Sequence, residues 1–210
     1  MNAVLRRLFA LLLCCAAGTP HARGLLFDEE MRGHGYWDGE LRTLHFVLDV
    51  RIPDIDRWRA SPAHPAQVSG SLRLDAAAPQ TLAGTLEILA PAPNQDGRVL
   101  VYRLTAANWR FLGAKLVRND GGFDLIDDVT TLHGVLLPRT AAWPSVGSLV
   151  DDGQWSSEVQ FEWWRPSIVL AFLDSFATID TPWYEVPWVK YVFIDTTFGA
   201  VAGEFLFDLL

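Results

Sequence analysis

From position 43 onward the chain alternates apolar and polar residues with a period of two. Leu44, Phe46, Leu48, Val50 and Ile52 alternate with Thr43, His45, Val47, Asp49 and Arg51. That is the pattern of a strand with one buried face, and Pro53 ends it. Val68, Gly70, Leu72 and Leu74 repeat the pattern, as do Leu82, Gly84, Leu86 and Ile88. Pro91, Pro93 and the turn-rich stretch Asn94–Gly97 then interrupt the chain. Leu100, Tyr102 and Leu104 predict a fourth strand, Arg110 to Val117 a fifth, and Thr130 to Leu137 a sixth that Pro138 terminates. Asn119-Asp120-Gly121-Gly122 is a strong turn signal between the last two, so the segment reads as a hairpin with Lys115 near the strand end that enters it. Spacings of about 12–18 residues, with no helical stretch between strands, predict a mainly β fold: an antiparallel barrel or sandwich.

The pattern changes near Trp143. Residues 155–164 allow one more strand. Pro166 suits the first turn of a helix running to about Thr178, with Val169, Leu170, Phe172, Leu173 and Phe176 at helical spacing. Beyond Pro182 and Pro187, the residues Phe198, Val201, Ala202, Phe205, Leu206 and Leu209 fall on one helical stripe. Lys190, Asp195 and Glu204 interrupt this apolar end, which argues against a transmembrane span. The organisation predicted is a signal peptide over 1–22, an antiparallel β domain over 23–142, and a Trp-rich strand and helical region over 143–210 that packs on the β domain. Six of the nine Trp residues stand at or after Trp143. Either they complete the core, or Trp163, Trp164, Trp183 and Trp188 form a binding surface for an apolar ligand or a partner protein.

The first 22 residues have the make-up of an export signal. Arg6 and Arg7 precede an apolar run over Leu8–Ala17, too short to cross a bilayer, and small residues follow. A periplasmic or secreted location is expected. Cleavage would remove both cysteines, Cys14 and Cys15, leaving a fold without disulfides. It would also bring the net charge from −8 to about −10. An acidic chain with no basic stripe argues against nucleic acid as a partner.

Reactive constellations are sparse. The chain has no Gly-x-Ser-x-Gly nucleophile turn, and Gly199-x-x-x-Gly203 lacks the spacing of a dinucleotide fingerprint. No pair of His residues shows metal-ligand spacing, and no metal or other cofactor is expected. His64, in a loop between Pro62 and Pro65, is the best single candidate for acid–base work, with Asp124, Asp127 or Asp128 as partner. Carboxylates in turns otherwise cap backbone amides. His45 and His133 fall on the polar faces of strands.

The stretch from Phe111 to Leu132 carries Gly113-x-Lys115, then Asp124, then Asp128-Val129-Thr130-Thr131-Leu132. It resembles an accessory segment of large bacterial proteins that join a cholesterol-oxidase-like glucose–methanol–choline oxidoreductase to an α/β-hydrolase region. Met31-x-Gly33, Ala63-His64-Pro65-Ala66-x-Val68-x-Gly70, Leu100-Val-Tyr-Arg-Leu104, Phe198-Gly199 and Gly203-Glu204 agree in order, so the resemblance spans nearly all of the mature chain. Val129 departs from it, standing where the pattern has a Thr. The resemblance is to the accessory segment and to neither catalytic domain. It implies a free-standing exported domain in the company of sterol or lipid oxidation, with an apolar small molecule or a partner oxidoreductase as the natural contact. The residues thus favour a non-catalytic binding domain. A small acid–base enzyme and a structural protein at a membrane surface are the alternatives.

Overall fold

A computed structural model describes residues 22–93, 97–117, 125–153 and 155–207. Its strands are β1 (Gly24–Trp37), β2 (Glu40–Ile52), β3 (Pro65–Leu74), β4 (Gln80–Pro91), β5 (Arg98–Ala106), β6 (Trp109–Val117), β7 (Thr131–Pro138), β8 (Ser157–Gln160) and β9 (Ala177–Ile179). The helices are α1 (Ile55–Ala60), α2 (Leu125–Thr130), α3 (Val146–Asp152), α4 (Pro166–Ser175) and α5 (Val186–Phe207). Strands β2 to β8 are neighbours in chain order, and β1 pairs with both β2 and β8. The result is a closed antiparallel eight-stranded barrel with a C-terminal helix and an aromatic cluster. The short β9 adds to the start of β1, with Gly24 opposite Ile179 and Leu26 opposite Ala177.

The period-two pattern places one set of side chains inside. Leu44, Phe46, Leu48, Val50 and Ile52 point inward from β2 and are fully buried. They meet Met31, Leu72, Leu104, Phe111 and Leu132 from the other walls. The interior is therefore packed with side chains, as barrels of this strand number commonly are. Strands β5 and β6 do not alternate cleanly because both of their faces are covered. Outside the barrel, Val99, Val101, Leu112, Ala114 and Val135 form a second core under Leu149 and Val150 of α3.

Helices α1, α4 and α5 gather at one end of the barrel. Phe27 of β1 meets Phe172 of α4, Phe176 at the C-terminal cap of α4 and Phe193 of α5, with ring centroids 5.9, 5.0 and 5.5 Å away. Trp58 of α1 stacks on the same Phe193 at 5.5 Å. Asp54 caps α1 by accepting from the Asp56 and Arg57 amides, both at 3.0 Å. Arg23 ties this end together through Asp56 at 2.5 Å and Glu185 at 2.9 Å.

Several expectations need adjustment. Strand β1 was not predicted. The boundary at 142/143 does not divide the sheet, because β8 and β9 come from the Trp-rich segment and β8 closes the barrel. Thr130 ends α2 rather than opening β7. Strands β6 and β7 do pair antiparallel, with Gly113 opposite Gly134, but α2 lies between them, so the connection is not a tight hairpin. The Asn119–Gly122 turn and Asp124 lie outside the described residues, as do residues 1–21 of the signal segment and Leu209 of the C-terminal stripe. The helix expected from Pro166 ends at Ser175, just before β9.

Candidate functional site

The Gly113-x-Lys115 pattern puts two residues on the inner face of β6, and the register explains both. Lys115 reaches Glu29 of β1, Nζ to Oε1 2.5 Å. The Tyr102 hydroxyl of β5 donates to the other oxygen of Glu29 at 2.8 Å. The Lys115 ammonium stands 5.3 Å from the Tyr102 ring centroid, within cation–π range. All three side chains are buried. Burial, and then the neighbouring Glu29 charge and hydrogen bond, hold the Tyr102 phenol well above its usual range, so Tyr102 stays a neutral donor. Buried ions must be paired and hydrogen-bonded to be tolerated, and here each group satisfies the next. The arrangement ties β1 to β5 and β6 within a packed interior. Sequence reasoning singled out Lys115 but missed Glu29 and Tyr102. An acidic residue inside a strand has no local signal when its partner lies 86 residues further on.

Gly113 and Gly134 make room for Phe111. A Cβ on Gly113 would stand 2.6 Å from the Phe111 ring, and one on Gly134 2.5 Å from it. Of the remaining residues of the pattern, Leu132 joins the barrel interior beside Phe111. Thr131 pairs with Gln160 across β7 and β8, Asp128 is half-buried on α2, and Thr130 is buried at its end.

His64 is engaged structurally. Its Nδ1 lies 3.0 Å from the Ile88 carbonyl. Its ring lies 4.9 Å from that of Trp58, whose Nε1 donates to the His64 carbonyl at 2.8 Å. These contacts pin the loop before β3 to the irregular stretch of β4 between Glu87 and Ala90. Burial lowers the His64 pKa, the bond to Ile88 opposes that, and Arg98 adds to the lowering. The unfolded chain therefore takes a proton that folded His64 resists, and stability should fall as pH drops below about 6.5. In His64→Gln the difference in urea midpoint between pH 7.5 and pH 5.5 should narrow. An unchanged difference would show that His64 does not contribute to it.

The four Trp residues expected to bind are all open to solvent. Trp163 is 42% exposed, Trp164 53%, Trp183 85% and Trp188 44%. Helix α4 buries none of its residues fully. It turns Phe172, with the capping residue Phe176, toward Phe27 and leaves Leu170 and Leu173 exposed. Helix α5 buries Val189, Val192 and Phe193 and presents Trp188, Tyr191 and Ile194 outward. Tyr184 beside Trp183 is exposed as well. No described helix is long and apolar enough to cross a membrane.

A second feature lies on the barrel wall. The outer faces of β1, β7 and β8 border an open groove of about 530 Å³, within the size range of small-molecule sites. Aromatic residues Tyr36, Trp155 and Trp164 line it alongside Arg32, His34, His133, Glu158, Gln160 and Glu162. The groove and the expected aromatic surface share Trp164. Among the described residues no three His, Cys, Asp or Glu side chains group as metal ligands would.

The fold and these surfaces define a closed antiparallel barrel with a helical, aromatic cap. No family model, curated protein or solved structure matches the chain.

Proposed function

We propose that this protein is an exported, non-catalytic binding domain that engages lipid- or sterol-like apolar matter through the aromatic surface of its C-terminal cap. The exposure of Trp163, Trp164, Trp183 and Trp188 carries this reading. The chain had enough apolar residues to fill the barrel without them, and the interior is filled by others. Leu170 and Leu173 on α4, Tyr184 just before α5, and Tyr191 and Ile194 on α5 extend the same exposed character. Apolar surface of this kind is costly in water and marks contact sites. Trp and Tyr combine an apolar ring with a polar atom, which suits the boundary between lipid and water. The packed interior makes this an outer-surface mode of binding, unlike barrels that enclose their ligand. The cap has no cluster of basic residues, so the expected surface is neutral or zwitterionic lipid rather than anionic lipid.

Phosphatidylcholine vesicles with and without cholesterol provide the test. The protein should sediment with them, and its Trp emission should shift to the blue. Trp183→Ala and Trp188→Ala should each weaken partitioning by about tenfold or more, the equivalent of the ~1.5–3 kcal/mol carried by a buried large apolar side chain, while the thermal midpoint stays unchanged. Absence of sedimentation and of any emission shift with both lipid compositions would overturn the reading.

A further inference from the structure

We propose that the groove on the outer wall of β1, β7 and β8 is a binding site for a neutral saccharide. This goes beyond the lipid reading, because the groove is built on the barrel wall and not on the exposed faces of α4 and α5. A sugar ring presents two chemistries at once: an apolar face of C–H bonds, and hydroxyl groups that each donate and accept. The groove offers both. Tyr36 and Trp164 are exposed rings along it, and Trp155 is held against His133 with centroids 5.7 Å apart. Flat aromatic surfaces of this kind supply contact area at little cost in side-chain freedom.

Between the rings lie planar polar groups of both senses. The Gln160 amide donates and accepts, the Glu158 carboxylate accepts, as does that of Glu162, whose Oε2 already accepts from Arg165 Nη1 at 2.7 Å, and the His34 imidazole does either according to tautomer. Paired hydroxyls on adjacent sugar carbons need such adjacent donors and acceptors. The β-strand period places His34, Glu158 and Gln160 on the outer face, and the register sets His34 opposite Glu158 and Arg32 opposite Gln160. The spacing is therefore fixed by rigid elements, as a specific site requires.

The charge balance argues against an anion. Arg32 is the cationic group in the groove, and it already bonds Glu30 at 2.6 and 3.0 Å and lies 3.8 Å from Glu162. Two carboxylates face it. A compact ammonium cage also fits poorly, because no two of the Tyr36, Trp155 and Trp164 rings are in contact among the described residues. The rings are spread along the groove, which suits an extended, partly hydrated ligand such as a short oligosaccharide.

The experiment is titration of the full exported chain, without lipid, against neutral gluco-, manno-, xylo- and chito-oligosaccharides. Phosphocholine and an acidic polysaccharide serve as comparisons. Calorimetry and saturation-transfer NMR are the readouts. At least one neutral oligosaccharide should bind saturably. Trp164→Ala and Gln160→Ala should each weaken it at least tenfold, with circular dichroism and thermal midpoint unchanged, whereas Gln67→Ala on β3 should leave it as it was. Lack of binding by every neutral oligosaccharide, preferential binding of phosphocholine or the acidic polymer, or binding that survives both groove variants would overturn the proposal. Vesicle partitioning through Trp183 and Trp188 is measured separately, so loss of one property leaves the other standing.

Discussion

Lys115→Met is expected to destabilise the protein by ~3–5 kcal/mol, because it strands the Glu29 carboxylate in the barrel interior without its cation. The Tyr102 hydroxyl would still donate to Glu29, but one neutral donor does not replace an ammonium in a low-dielectric site. The double variant Lys115→Met/Glu29→Gln should recover most of the loss, since the remaining amide can still accept from Tyr102 and no charge is left buried. Urea unfolding of the three proteins decides the matter. If single and double variants are equally unstable, the interaction between Lys115 and Glu29 is not what holds these strands. A fully recovered double variant would show that the ion pair specifies the pairing of β1 with the far wall more than it adds net stability.

Phe111→Ala is expected to cost ~3–5 kcal/mol, the range for emptying a fully buried aromatic site. Phe111 is wholly buried and packs its ring 4.9 Å from that of Phe46. It also lies over the bare backbones of Gly113 and Gly134. Those glycines make the site slow to collapse, because no neighbouring side chain stands ready to fill the space. Adding bulk instead of removing it should also be harmful. In Gly134→Ala the new methyl meets both the Phe111 ring and the Leu112 carbonyl, at 2.5 and 2.8 Å, and a loss of ~1–3 kcal/mol follows. Chemical denaturation of the two variants gives the comparison. A Phe111→Ala protein within 1 kcal/mol of the parent, by the ~3–5 expected, would mean that the barrel wall relaxes around the gap.

How much of this was legible beforehand depends on whether the signal was local. Strands β2, β3 and β4 alternate cleanly because one face meets the core and the other meets water, and the sequence shows that directly. Strand β1 was hidden. Its inward positions include Glu29, Gly33 and Gly35 among Leu25, Phe27 and Met31, so charge and glycine masked the alternation. Only the distant Lys115 makes Glu29 acceptable there. The exposed Trp residues were recognised as candidates, yet composition alone could not tell a core aromatic from a surface one. Trp58 and Trp109 are buried while Trp183 stands almost free. The groove was not legible, because β1 and β8 meet only through closure of the barrel. His64 looked reactive on account of its proline-flanked loop, but the bulge of β4 offers it a carbonyl that no sequence pattern announces.

Strand β1 touches its sequence neighbour β2 through a tight turn, but its other edge meets β8 and β9 from the far end of the chain. The ring of strands therefore cannot close until the region after residue 156 has arrived. Loop-closure entropy and high contact order make that step slow compared with building the successive hairpins of the meander. Before it happens the molecule is an open sheet with two unpaired margins, the condition in which strands seek partners on other chains. Closure is also the moment at which β1 becomes the neighbour of β8 and β9. A chain that emerges with its N-terminal end first holds β1 in waiting until β8 has followed, and over that interval the charged outer row of Asp28, Glu30 and Arg32 is what guards its open edge.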